Sequence, residues 1–286
     1  MTHPMTRPTR GAGRLGLLLA LALAACTTVT GPVAESEDTF ASSPANIASL
    51  SDVVQRNPND PQAYNMRGTV LARAGRSEEA LADFDKAIRL DPNYAQAYAN
   101  RGLVRRQTNK LDLALADYNK ALAIDPNYAV ALIGRGVVYR LQRKPRLALD
   151  DFNKAIQIRP DSAQAYYNRG LLYQAQNQHQ YAIDDFSTAI GLSQQSAEPF
   201  IARGLSYMAV GDLKAASSDF DDAVQVEPQN LQAWTSRGLA YERLGNTQRA
   251  AACYARALNI NKDYEAAKEG FKRVGGRYGE TYQTFD

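Results

Sequence analysis

The side chains able to act as nucleophiles or soft metal ligands are few: the cysteines are Cys26 and Cys253, and the histidines are His3 and His179. Two such thiols supply neither a C-x-x-C motif nor a disulfide framework, and one histidine in the body of the chain has no second to share a metal with. The acid pairs Asp150-Asp151, Asp184-Asp185 and Asp221-Asp222 recur at one register of a repeated unit. That is the mark of solvated helix faces rather than of general acid–base work. No serine or cysteine sits in a recognisable nucleophile setting. The expectation is a protein that is not an enzyme, uses no cofactor and holds no metal. Two other kinds of chemistry are legible: an acylable cysteine near the amino terminus, and arginines paired with aspartates sixteen residues on.

Residues 1–14 carry Arg7, Arg10 and Arg14 and no acid, and the small, apolar run from Leu15 to Ala25 follows. These are the basic and apolar regions of a signal peptide in order; the run is too short to cross a bilayer, which takes about 20 residues. It ends in Leu23-Ala24-Ala25-Cys26, which resembles the lipobox of bacterial lipoproteins. That resemblance implies cleavage before Cys26 and acylation of its thiol and new amino group with chains such as palmitate. Thr27, where aspartate would imply retention in the inner membrane, implies an outer-membrane anchor facing the periplasm. The competing reading is an ordinary cleaved signal with an incidental cysteine, whose unpaired thiol would then have no evident use.

On the lipoprotein reading, residues 1–25 are the signal peptide and residues 26–43 the lipidated cysteine and a flexible tether with a reach of roughly 20–25 Å. Two or three acyl chains, at about 0.8 kcal/mol per buried methylene, anchor a protein firmly. The 33 basic side chains, less the three arginines of the leader, balance the 30 acids. A neutral mature chain has no electrostatic footprint for nucleic acid.

The remaining chain repeats itself at an offset of 34: Arg-Gly recurs at Arg67, Arg101, Arg135, Arg169, Arg203 and Arg237. With units starting at Pro61, Ala95, Ala129, Ala163, Ala197 and Leu231, position 24 is always aromatic (Phe84, Tyr118, Phe152, Phe186, Phe220, Tyr254). Positions 20 and 27 are always alanine, and position 32 is proline in four units. This pattern resembles the tetratricopeptide repeat (TPR), and the resemblance covers residues 61–264. It implies an all-α fold, a right-handed TPR superhelix of six 34-residue helix hairpins. Periodicity agrees independently: apolar positions 4, 8 and 11, then 20, 24, 27 and 28, have helical spacing, with Gly75, Asn109, Gly211 and Gly245 in the turns.

Glycine inside a helix costs roughly 0.5–1 kcal/mol against alanine, so its recurrence at position 8 predicts a close helix approach where no Cβ fits. Arg at position 7 with Asp at position 23 predicts a ladder of ion pairs between helices. Cys253 takes the aspartate's place in unit six, so Arg237 needs another acceptor. Residues 44–60 match the second half of a repeat and read as an amino-terminal capping helix; residues 265–286 read as a carboxy-terminal capping helix and tail.

With positions 4, 8 and 11 committed to packing, the neighbouring stripe at positions 2, 5, 9, 12 and 13 lines the concave surface in proteins that this chain resembles. The candidate groove residues are Asn100, Leu103, Arg106, Ile133, Val137, Arg140, Tyr167, Asn168 and Leu171. They make an apolar centre with a basic edge, while Gln174, Met208 and Glu242 follow at position 12. Asn100 and Asn168 are expected to hydrogen-bond a peptide backbone. The stripe reads equally as apolar side chains thickening the core, and only exposure separates the two. The combined resemblances, in architecture to NlpI-like tethered repeat lipoproteins, imply a membrane-tethered scaffold in the bacterial cell envelope. Its expected partners are cell-wall enzymes, a protease or secretion components, with oligomers permitted. A pilotin-like assembly factor for a secretin, pilus or secretion system is the alternative.

Overall fold

The computed structural model describes residues 43–277 and Tyr282; the signal sequence, Cys26, the tether and most of the tail lie outside the described residues. Fourteen helices and no strand are found among the described residues. In chain order they are α1 (Pro44–Arg56), α2 (Pro61–Arg73), α3 (Ser77–Leu90), α4 (Ala95–Gln107), α5 (Leu111–Ile124), α6 (Ala129–Leu141) and α7 (Pro145–Ile158). The series continues with α8 (Ala163–Ala175), α9 (His179–Leu192), α10 (Glu198–Val210), α11 (Leu213–Val226), α12 (Leu231–Arg243), α13 (Thr247–Ile260) and α14 (Glu265–Arg273). None of them is long and apolar enough to cross a membrane.

Local chemistry sets the helix limits. Ser43, Asp60, Ser162, Asp212, Asn230 and Asn246 each accept a backbone N–H at a helix start, which satisfies a donor the helix leaves free. The turns inside the hairpins pass through one left-handed residue. Gly75, Gly211 and Gly245 hold it in three units, Asn109 and Asn177 in two, and Arg143 in one. Glycine takes that conformation freely, asparagine tolerates it, and arginine does so at a cost.

The helices α2/α3, α4/α5, α6/α7, α8/α9, α10/α11 and α12/α13 pair as hairpins, each packed on the next, with α1 against α2 and α14 against α13. The first helices of neighbouring hairpins also touch one another, α2 on α4 and onward to α12 on α14. They therefore form the inner layer of the stack.

The core consists of what the hairpins enclose. The position-24 aromatics Phe84, Tyr118, Phe152, Phe186, Phe220 and Tyr254 are at most 1% exposed. Each lies against the position-8 glycine of its own unit: a Cβ on Gly68, Gly136, Gly170, Gly204 or Gly238 would come within 2.6–2.8 Å of the ring, and one on Gly102 within 3.1 Å. The expected close approach is present, and its cause is the aromatic ring rather than the partner backbone.

A second rule emerges. Where position 24 is tyrosine, position 6 of the next first helix is glycine: Gly134 follows Tyr118, and Gly270 follows Tyr254. Where it is phenylalanine, that position carries Asn100, Asn168, Ala202 or Ser236. The hydroxyl of Tyr118 would lie 2.7 Å from a Cβ on Gly134. The larger ring is accommodated by deleting a side chain on the neighbouring unit.

Candidate partner-binding groove

The position-7 arginines stand beside the inner layer and hold it together. Arg67, Arg135, Arg169 and Arg203 each donate two hydrogen bonds of 2.7–2.9 Å to Asp83, Asp151, Asp185 and Asp219 of their own hairpin. Arg101 meets Asp117 at 2.6 Å. Their remaining nitrogens reach sixteen residues back, into the preceding unit: Arg101 to Asp85, Arg135 to Asn119, Arg169 to Asn153 and Arg203 to Ser187. Each rung thus ties a hairpin internally and to its neighbour. Arg237, with Cys253 ahead of it, turns back to Asp221 at 2.5 Å.

The hydrogen bond to its own aspartate is the chief cause holding each of Arg67, Arg135, Arg169 and Arg203 above the ordinary guanidinium value. Burial keeps Asp219 above its usual value even against Arg203. These are planar bidentate forks around nearly buried carboxylates, so removing one partner is costly.

The structure divides the expected stripe. Leu103 is exposed at 38%, and Tyr167 and Leu171 are half-buried, so these present apolar surface. Ile133 and Val137 are 5% and 6% exposed and belong to the core between hairpins; the expectation that they offer contact area is corrected. Both lie on α6, where the apolar stripe is wide enough to be covered by the helices on either side.

The two asparagines are engaged through their amide nitrogens. Asn168 is 8% exposed and its amide donates to the Gln164 carbonyl oxygen of its own helix. Asn100 donates to Asn65 Oδ1 at 3.0 Å and to Thr69 Oγ1 at 3.3 Å. These bonds use the amide nitrogens alone, and the Oδ1 of each side chain is the group left to meet a peptide N–H.

Arg106 and Arg140 remain half-buried on the inner layer. Burial is the main cause lowering Arg140, with Tyr167 opposing and the charge of Arg106 adding to the depression. Beside them, α8 and α10 enclose a hollow of about 220 Å³ lined by Tyr167, Leu171, Gln174, Glu198, Ile201 and Leu205. A second, of about 350 Å³, opens past Tyr167 toward Ser193, Ser196 and Pro199. The expected stripe runs through Gln174 and, at positions 2, 5 and 9 of the next unit, through Glu198, Ile201 and Leu205; the linker serines were missed. The signal for them was Gln194, which breaks the position-32 proline pattern where the linker widens.

Cys253 is 3% exposed and burial pushes its thiol up to about 12. Among the described residues no three His, Cys, Asp or Glu side chains are grouped to hold a metal ion.

Stacked helix hairpins with the first helices innermost, glycine against an aromatic ring in each and an arginine rung between them, define a helical repeat scaffold. The chain belongs to the tetratricopeptide repeat family. One tetratricopeptide repeat model matches residues 47–95, 65–129 and 201–267, together more than half of the chain. A TPR repeat model matches residues 147–177, and a further tetratricopeptide repeat model residues 163–196. No curated protein matches it.

Among solved structures, the chain is similar to one in the APC/C hetero-tetramer Cut9-Hcn1, with a TM-score of 0.74 and 16% identity over 83% of this chain; it spans 47% of that one. Pseudomonas aeruginosa pilF aligns over 77% of this chain and 99% of its own, with a TM-score of 0.66 and 20% identity. YrrB, described as a TPR protein with an unusual peptide-binding site, is 28% identical over 66% of this chain and 97% of its own, with a TM-score of 0.53. Proteins of this family mediate protein–protein interaction.

Proposed function

We propose that the protein is a membrane-tethered adaptor of the bacterial cell envelope that takes segments of partner proteins into its concave face. The hairpins would wind as a right-handed superhelix closed by α1 and α14. Acylated Cys26 would hold the protein on the outer membrane, facing the periplasm, with the tether leaving the body free to reach cell-wall enzymes, a protease or secretion components.

The observation that carries the reading is the apolar surface left on the inner layer by exposed Leu103 and half-buried Tyr167, Leu171 and Leu205, beside two arginines and an open hollow. Apolar surface on an inner face with polar edges is the common form of a segment-binding groove. YrrB, the relative named for a peptide-binding site, supports the reading. Leader, lipobox-like tetrapeptide and neutral body support the tether.

Two comparisons test it. Wild-type protein should sediment with outer membranes and take up a palmitate analogue, and Cys26→Ser should do neither. Partners co-purified with wild type should be lost from Leu171→Arg at unchanged melting temperature. Retention of the same partners by Leu171→Arg places binding on another face.

A further inference from the structure

We propose that Arg106 and Arg140 together form a receptor for a side-chain carboxylate on an acidic segment of the partner protein. This rests on the concave-groove reading and gives its occupant a chemistry. The two arginines occupy position 12 of adjacent units, on α4 and α6, where neighbouring first helices are in contact. Their Nε atoms are shielded from solvent and have no hydrogen-bond partner.

Other position-12 polar groups in this chain have been answered. Gln174 donates to the Ala202 carbonyl oxygen and to Ser206 Oγ, both at 2.9 Å. Glu242 accepts from Tyr254 at 2.7 Å and from Arg273 at 2.9 Å. In unit six, therefore, this register already holds a carboxylate–guanidinium pair, closed within the chain with the charges reversed. The rung arginines of position 7 likewise have acceptors supplied by the chain. Arg106 and Arg140 have no carboxylate opposite them among the described residues, although burial and the nearby charge of Arg106 disfavour the charge on Arg140. Arg106 is steadied by the hydroxyl of Tyr118, the ring for which Gly134 makes room.

A carboxylate set against both forks would supply the missing acceptors and separate the like charges. A polypeptide suits the place better than a small anion. Leu103 on one side and Tyr167 with Leu171 on the other offer apolar contact on the same stripe, so an acid flanked by apolar side chains matches both the charge and the surface.

The test is a display library of random peptides of about twelve residues selected on the full chain in detergent. Enriched peptides are then labelled with fluorescein and titrated against wild type, Arg106→Gln, Arg140→Gln, Arg140→Lys and Leu171→Arg. Enriched sequences should share an Asp or Glu at fixed spacing from an apolar residue. Changing that acid to its amide, or either arginine to glutamine, should weaken binding about thirtyfold, with Arg140→Lys recovering part of the loss. The melting temperature of Arg140→Gln should stay level or rise, since it removes a shielded charge, while Arg106→Gln, which also loses the Tyr118 contact, should melt lower and remain folded. Peptides without an acid, or acidic peptides indifferent to both arginines, overturn the receptor. If those peptides still fail on Leu171→Arg, the groove reading survives that loss. Binding unaffected by Leu171→Arg, or no enrichment at all, counts against groove and receptor together.

Discussion

Substituting Gly134 tests whether neighbouring hairpins are fitted to one another ring by ring. An alanine Cβ at this position would overlap the Tyr118 ring and lie 2.7 Å from its hydroxyl oxygen. The ring is 1% exposed and backed on its other side by Gly102, whose Cβ would stand 3.1 Å away, so it has nowhere to retreat. Overpacking of this kind costs about 1–3 kcal/mol, offset by at most about 1 kcal/mol of helix propensity. With three tyrosine atoms this close, the cost lies in the upper part of that range, so the expected net loss is about 1–2 kcal/mol, a fall of about 2–8 °C in melting temperature for a body of this size.

Tyr118→Phe alone should cost about 1 kcal/mol through the lost contact with Arg106. In the double variant the ring keeps the two carbons nearest the new Cβ, Cε1 and Cζ, but without its hydroxyl and the Arg106 contact it is free to settle as the phenylalanines of other units do, beside a side chain at position 6. The two losses should then overlap, with a coupling of about 1 kcal/mol or more. Urea melts followed by circular dichroism read all four proteins. Additive losses, or a Gly134→Ala protein as stable as its parent, would refute the size-matching argument.

Three further outcomes follow from the scaffold. Arg135→Ala leaves Asp151 almost buried without its bidentate partner and releases Asn119, so stability should fall by about 3 kcal/mol in a chemical melt while partner affinity is unchanged. Arg143→Gly relieves a left-handed arginine at φ 57° and should raise stability by up to about 1 kcal/mol on the same assay. Cys253, with a thiol pushed up to about 12, should be inert to a disulfide reagent at pH 8 in folded Cys26→Ser protein and react fully in guanidinium chloride. The sign follows from linkage: a fold that raises the thiol's value favours the protonated form, so this contribution is intact below the unfolded value of about 8.5 and is lost as pH climbs toward 12.

The repeat itself was the most legible feature, because it is written in the residues that touch. The position-7 arginines and position-23 aspartates predicted the rungs, and the substitution of Cys253 predicted that Arg237 must look elsewhere, which it does in Asp221. What periodicity missed was contact between units. The backward reach of each arginine to position 25, and the trade of Tyr118 against Gly134, depend on the stagger of one hairpin on the next. The groove was legible only in part for the same reason. Helical phase put Leu103, Ile133, Val137 and Leu171 on one stripe, but which of them a neighbour covers is a matter of superhelix geometry: Val137 is covered, Leu103 is not. Asn100 and Asn168 carried the right chemistry for a peptide, and neighbouring oxygens take up their amide nitrogens, a contact that one helix read by itself does not show.

The central claim, that partners bind on the concave face, is tested most directly by photocrosslinking in living cells from Tyr167, beside the hollow between α8 and α10, with a matched probe at Lys154 on the outer helix α7. The account predicts a protein captured from Tyr167 and not from Lys154, and lost when Leu171 is changed to arginine. Capture from Lys154 alone, or equally from both, would contradict it.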